Sequence, residues 1–414
     1  MPFSFTGTSG RLLAAAVLGL TLAGCANKTD NGPAGGGTPG STATGSPLIV
    51  GEYGSMTGAQ ATFGASTDKG ITLAVAQLNA AGGIDTHPVQ LGATGKVEDS
   101  ESRPDGAATA VKKLITQDKA IAILGEVASK NSIAAAPICQ TNKVPMITPS
   151  STNPKVTETG DYIFRICFID PFQGTVGAKF AQQNLKAKTA AVLYDSTSDY
   201  SKGLQDFFIK AFTQQGGKVV LVRTYAAGDP DFRSSLTSIK AANPDVLYIP
   251  GYYNEVGTIA RQARELGIKV PLLGGDGWES PSLIKGAGGP GGALEGCYFT
   301  DHSGLDESDP VVKKFVESYK TANGGQTPDA LTAQGYDAAN VLFAAMKTVP
   351  KPADGKYDSD DYRAKLRDAI AATKDFHGAT GLITLDADRN AKKAAVVLQI
   401  KGDSYKNVVA TFQP

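Results

Sequence analysis

Nucleophiles and metal ligands are scarce in this 414-residue sequence, which holds four cysteines, three histidines and one tryptophan. His87, His302 and His377 stand far apart, beside loops and without metal-ligand spacing, so they read as surface residues. There is no G-x-S-x-G elbow and no phosphate-binding loop motif. Neither sign of charge is in excess: 40 basic residues balance 40 acidic ones, which gives no electrostatic argument for a nucleic acid or an acidic membrane surface. No apolar run reaches the ~20 residues needed to span a bilayer. Two literal G-x-G-x-x-G matches occur, at Gly35, Gly37 and Gly40 and at Gly286, Gly288 and Gly291, but neither follows a strand, so neither implies a dinucleotide. The acids of "DSDD" (358–361) head a helix, where negative charge is favoured. Together these absences weigh against catalysis, a bound metal or a cofactor.

What is present begins at the N-terminus. Arg11 precedes the apolar run "LLAAAVLGLTLA" (12–23), then Gly24 and Cys25, the pattern of a secretory signal. "LAGC" resembles the bacterial lipobox, which implies a leader at 1–24 and a lipid anchor on Cys25. Residues 25–46 are Gly, Ser, Thr, Pro and Asn with almost nothing apolar, a composition that forms a flexible tether. Three cysteines remain, Cys139, Cys167 and Cys297, an odd number in an exported chain. Cys139 and Cys167 could pair, and the sequence leaves that open.

From residue 47 onward strands and helices alternate. "PLIVGEY" reads as a strand, and "ASTDKGITLAVAQLNAAGG" as an amphipathic helix with Ile71, Ala74, Val75 and Leu78 on one stripe. "AIAILG" is a continuous apolar run, as expected of a strand covered on both faces. The rhythm breaks at the long strand-like segment "DYIFRICFIDP" (161–171), then restarts and runs to "VPLLGGDG". A second break falls near 296–304. The alternation predicts an α/β fold of two Rossmann-like units with parallel sheets, whose ligands bind outside the carboxyl ends of the strands. "GEVASKNS", "ITPSST", "YDSTSDYSKG", "PGYYNE" and "GGDGWES" lie at such ends. In "ITPSSTNP" (147–154) three consecutive hydroxyls follow an apolar strand, so they either cap a helix or face a ligand.

The series "GSMTGAQATFG" (54–64), "LNAAGGI" (78–84), "ILGEVAS" (123–129), "PMITPSST" (145–152), "YIFR" (162–165), "DSTSDYSKGL" (195–204), "YIPGYYNE" (248–255) and "GGDG" (274–277) resembles, in order, the type I periplasmic binding proteins of the leucine/isoleucine/valine-binding class. The resemblance spans roughly 47–414. It implies two lobes joined by a three-stranded hinge, the first made of 47–169 plus 301–375 and the second of 170–300 plus 376–414, with the ligand clamped between them. It also implies a lipid-anchored monomer, at the bacterial periplasm or cell surface, that hands an amino acid to the permease of an ABC importer.

Carried over residue by residue, the resemblance puts the ligand carboxylate on the hydroxyls of Ser129 and Thr152, with Ser150 and Ser151 lending backbone groups. Asp276, followed by Gly277, meets the ammonium. The family member compared has Glu there, so the shorter Asp seats the ligand deeper or brings in a water. Tyr200 and Tyr252 match aromatic positions, Phe63 a wall of the side-chain pocket, and Ala128 and Leu331 apolar lining. Two departures, "PSST" in place of a more apolar wall and Trp278 after Gly277, suit a ligand that is not purely aliphatic. The same fold binding a short amide, urea or aromatic acid stands as the alternative, as does a ligand sensor.

Overall fold

The computed structural model describes residues 43–414 together with Met1, Pro2 and Ser4. The rest of the leader, Cys25, nearly all of the tether and the first Gly motif lie outside the described residues.

The first sheet grows from a chain in which every strand is followed by a helix. β1 (Leu48–Gly54) leads to α1 (Ala61–Ala80), β2 (Val89–Leu91) and the short β3 (Glu98–Asp99) to α2 (Pro104–Thr116), β4 (Ile123–Leu124) to α3 (Ser129–Thr141), and β5 (Met146–Thr148) to α4 (Lys155–Glu158), before β6 (Ile163–Arg165). The order is β2-β1-β4-β5-β6, all parallel, with β3 also beside β1. Successive side chains leave a strand on opposite faces, and both faces are covered. Ile123, Met146 and Ile163 therefore enter one core with α2 and α3, while Leu124, Ile147 and Phe164 enter another with α1.

The long strand expected over 161–171 is shorter. Only Ile163–Arg165 pairs with β5, and residues 166–169 leave the sheet as the first crossover between lobes. They are apolar because Ile166, Cys167 and Phe168 are buried at that junction. The second sheet follows: α5 (Asp170–Gln183), β7 (Thr189–Asp195), α6 (Asp199–Gln214), β8 (Lys218–Tyr225), α7 (Arg233–Ala242), β9 (Val246–Ile249), α8 (Tyr253–Glu265), β10 (Leu272–Gly274), a 3-10 turn at Asp276–Trp278, α9 (Pro281–Gly286) and β11 (Tyr298–Asp301). β7 to β11 run parallel in the order β8-β7-β9-β10-β11.

After β11 the chain returns to the first lobe as α10 (Pro310–Ala322), α11 (Ala330–Thr348) and α12 (Asp360–Ala371). A small antiparallel sheet of β12 (Phe376–Gly378), β13 (Gly381–Leu385) and β14 (Ala391–Lys392) comes next. Its Ile383, Leu385 and Ala391 join the α1/α11 core, so residues 376–392 pack with the first lobe. The return to the second lobe expected at 376 is made instead at β15 (Ala395–Lys401), which pairs antiparallel with β11 and is followed by an edge strand, β16 (Ser404–Phe412). Cys139, Cys167 and Cys297 are all free and buried, so the Cys139–Cys167 pairing left open by the sequence is not made. Among the described residues no helix is long and apolar enough to cross a membrane.

α1 and α11 touch through two reciprocal glycines. A Cβ on Gly70 would land on the Thr332 carbonyl oxygen, and one on Gly335 on the Thr67 carbonyl. Alanine in an ordinary helix gains about 1 kcal/mol over glycine. Here the added methyl must force two backbones apart, and overpacking of that kind costs about 1–3 kcal/mol. Gly70→Ala is expected to lower the denaturation midpoint with an unchanged slope against denaturant; a raised midpoint would mean the helices are free to separate.

Candidate functional site

The first lobe's wall is the loop from Thr148 to Asn153, and its geometry is set by polar side chains turned inward. Thr148 Oγ1 accepts from the Ser151 amide at 2.9 Å and the Ser150 amide at 3.3 Å, and donates to the Glu126 carbonyl at 2.6 Å. Ser151 Oγ donates to that same carbonyl at 2.7 Å and lies 2.7 Å from Ser132 Oγ. From beneath, the buried Arg165 guanidinium donates to the Ser151 and Pro154 carbonyls and to Thr157 Oγ1. The Ser150 and Ser151 amides are thus spent on Thr148, which corrects the expectation that they serve a ligand. Ser151 is a strut of the loop.

What remains for the cleft is narrower. Thr152 Oγ1 is buried and meets no partner. Ser129, the first residue of α3, accepts the Asn153 amide on its hydroxyl at 3.3 Å, while its own amide faces the Tyr252 hydroxyl across the cleft. Ala128 immediately precedes the helix, with no side-chain cap of its own. The helix-capping alternative for Ser129 and Thr152 therefore does not hold: neither caps its helix.

The second lobe's wall centres on Asp276, which opens the 3-10 turn. Its Oδ1 accepts from Gln173 Nε2 at 2.7 Å and the Tyr200 hydroxyl at 2.8 Å, and its Oδ2 lies 3.1 Å from His302 Nε2. The Gly277 amide donates to the same Tyr200 oxygen, 3.2 Å away. Tyr200 stacks on Tyr252 with ring centroids 5.1 Å apart, and Tyr252 meets the edge of Phe63 from the other lobe at 5.8 Å. Further contacts hold the lobes together at the rim. Thr62 Oγ1 lies 2.9 Å from Ser280 Oγ, Asn153 Nδ2 donates to the Asp199 carbonyl at 2.9 Å, and Glu279 accepts the Ala330 and Leu331 amides at the start of α11. The molecule is in a closed form. Trp278 departs from expectation: its Nε1 donates to the Ile249 carbonyl and its ring packs near Phe299, so it is a core residue of the second lobe.

Three residues of this region escaped the sequence reading. His302, expected on the surface, is buried just after β11, where the chain crosses between lobes. Its Nε2 lies 3.1 Å from both Ser150 Oγ and Asp276 Oδ2, and its ring lies 4.0 Å from that of Phe168 on the first crossover. Burial pulls its pKa below the usual histidine value, against the hydrogen bond to Asp276. Gln173 is the second. The third is Asp170, the first residue of α5. Neither of its oxygens finds a hydrogen-bond partner, although the Thr152 hydroxyl faces it, and burial, with Asp276 adding repulsion, pushes its pKa up to about 8. No run or motif marked these residues, because all three are brought to the cleft by the crossovers.

The Asp170 shift gives a pH dependence. In the unfolded chain the carboxyl ionises from about its ordinary 3.8, while the folded state keeps the proton to about 8, so the unfolded state binds fewer protons in between. Its contribution to stability falls as pH rises through that window. Asp170→Asn keeps the shape and does not titrate. The variant's melting temperature relative to the parent is expected to climb by several degrees from pH 4.5 to pH 8; a constant difference would mean the native carboxyl is ionised throughout.

The periplasmic binding protein family matches residues 47–405. Among curated proteins, an amino acid binding protein of Pseudomonas aeruginosa is 34% identical over 302 residues, covering 72% of this chain and 78% of its own length. Among solved structures, a leucine binding protein of Thermotoga maritima is 41% identical with a TM-score of 0.81, covering 89% of this chain and 99% of its own. A branched-chain amino acid transporter substrate binding protein of Streptococcus pneumoniae, solved with isoleucine, is 31% identical with a TM-score of 0.78 and the same coverages. With two α/β lobes closed over a cleft at their strand ends, and with these relatives, the chain belongs to the type I periplasmic binding proteins, in the leucine/isoleucine/valine-binding family.

Proposed function

We propose that this chain is an extracytoplasmic solute-binding lipoprotein, anchored through Cys25 and acting as a monomer, that captures an amino acid by lobe closure and passes it to the permease of an ABC importer. Its role is binding, with no turnover. The ligand is a branched-chain or related amino acid. The carrying observation is the pairing of opposite chemistries across one closed cleft. Thr152 offers an unpartnered buried hydroxyl beside Ser129 at the N-terminus of α3, where helix amides favour an anion. Asp276, inside the second wall, offers the acid an ammonium requires. Phe63, Ala128, Tyr200, Tyr252 and Leu331, all buried in one apolar cluster, would meet the ligand's side chain, with Gly277 giving clearance beside the two tyrosines.

One observation favours a second reading, an amide or aromatic acid without an ammonium. Asp276 already has Gln173, Tyr200 and His302 as partners and is satisfied with no cation present. Asp276→Asn separates the two. A buried ammonium deprived of its acid loses about 3–5 kcal/mol, roughly a hundredfold to a few thousandfold in affinity. Calorimetric titration of the purified protein with leucine, valine, alanine, threonine and benzoate is expected to show amino-acid binding that collapses by that factor in the variant. Undiminished binding of an amino acid to Asp276→Asn, or binding of benzoate alone, would refute the leading reading.

The hinge makes a further demand. His302 joins Ser150 of one lobe to Asp276 of the other, so His302→Ala removes a bridge of the closed form. Small-angle scattering of the ligand-free variant is expected to show a larger radius of gyration than the parent, with the difference disappearing on saturation by ligand. Equal radii without ligand would show that closure does not depend on this bridge.

A further inference from the structure

Behind Phe63 and Val127 the first lobe encloses a small cavity, about 10 Å³ open to a water-sized sphere, lined also by Glu52, Ser55, Thr67 and Glu126. That is room for about one non-hydrogen atom. Its lining is unusual for the interior of a parallel α/β lobe. Glu52 and Glu126 are each 2% exposed and Thr67 5%. Glu126 Oε1 is taken, accepting from Ser55 Oγ and Asn131 Nδ2, both at 2.6 Å. Glu126 Oε2, Glu52 Oε2 and Thr67 Oγ1 meet no partner within hydrogen-bond distance, although the Ser100 hydroxyl faces the Glu126 carboxyl. Leaving a buried polar atom unpaired costs about 1–3 kcal/mol. Three such atoms belong to residues around one atom-sized space, a lining suited to a polar group rather than to a methyl.

The cavity's position ties it to the cleft. Phe63 and Thr67 are one turn apart on α1, and Val127 adjoins Ala128 and Ser129. Burial raises the pKa of both carboxyls, with Asp68 adding to the effect at Glu52. A hydroxyl is the group of one heavy atom that both donates and accepts. Resting on the amino-acid reading above, we infer that this cavity is the far end of the side-chain pocket and selects an amino acid whose side chain carries a hydroxyl over its isostere with a methyl in that place. Glu126 and Thr67 are then specificity-determining residues, and a methyl seated there would strand all three polar atoms.

The test compares isosteric pairs, threonine with valine and homoserine with norvaline, by calorimetric titration of the purified full chain and of two variants. In Glu126→Gln the acceptor Oε1 remains, and the unpartnered oxygen is replaced by an amide that only donates. Thr67→Val keeps the shape and removes one hydroxyl. In the parent, at least one hydroxyl ligand is expected to bind tenfold or more tightly than its methyl partner. In either variant that ratio is expected to fall at least fivefold, with the methyl ligand's own affinity changed less than threefold. Should the methyl ligands bind as tightly as their hydroxyl partners, the cavity holds only a structural water and the inference fails while the amino-acid reading stands. Should none of the four bind the parent, the inference falls, and that reading falls with it only if leucine and alanine fail to bind as well. A preference for hydroxyl ligands that survives in both folded variants would place the hydroxyl elsewhere and likewise defeat it.

Discussion

A carboxyl group can sit on the floor of a closed protein cleft only if its oxygens are met by donors, and Asp276 meets that condition through three separate pieces of chain. Gln173 comes from the helix after the first crossover, Tyr200 from the start of α6, and His302 from the second crossover. The acid therefore stays in place only while the second lobe and the hinge keep their relative positions. Because His302 also reaches Ser150, the same contact registers the first lobe against the second. Two crossovers, stacked through Phe168 and His302, thus lie directly beneath the binding chemistry. The two crossovers and Asp276 are joined by side chains in van der Waals and hydrogen-bond contact.

The opposite wall is built on another principle. Its hydroxyl-rich loop is stiffened from within, since Thr148, Ser151, Ser132 and Arg165 consume each other's hydrogen-bonding capacity and that of the backbone. A loop folded this way loses little freedom when a ligand arrives, so its exposed donors are preorganised. Thr152 Oγ1 is left over after that internal accounting, and Ser129 stands in the first turn of α3. The asymmetry is physical. One wall is a rigid array of neutral donors, while the other holds a single acid whose surroundings are themselves ringed with donors.

Much of this was legible in the order of residues. The continuous apolar runs at 121–124 and 144–148 identify strands covered on both faces, and the structure divides their side chains between two cores as that requires. The strand-end loops carry Ser129, Thr152, Tyr200, Tyr252 and Asp276, and the fold sets Ser129 and Tyr200 against Tyr252 and Tyr200 against Asp276. Residues whose role depends on what faces them were read less well. Trp278 follows Asp276 by two positions, but the tight turn points its indole to the Ile249 carbonyl in the core. Ser150 and Ser151 look alike in sequence; one hydroxyl crosses to His302 and the other braces its own loop.

The sequence alone determined the alternation of strands and helices, the loops at which a ligand could be held and the family, because each of these follows from periodicity and from short segments in a given order. Only the tertiary structure decided which polar atoms are spent and which are free. That is a matter of pairing between segments more than a hundred residues apart, such as His302 with Ser150 or Asp276 with Gln173. The return of the chain to the second lobe at β15 was settled in the same way. Ile383, Leu385 and Ala391 are apolar in the sequence whichever lobe buries them, and the core formed by α1 and α11 is the one that does.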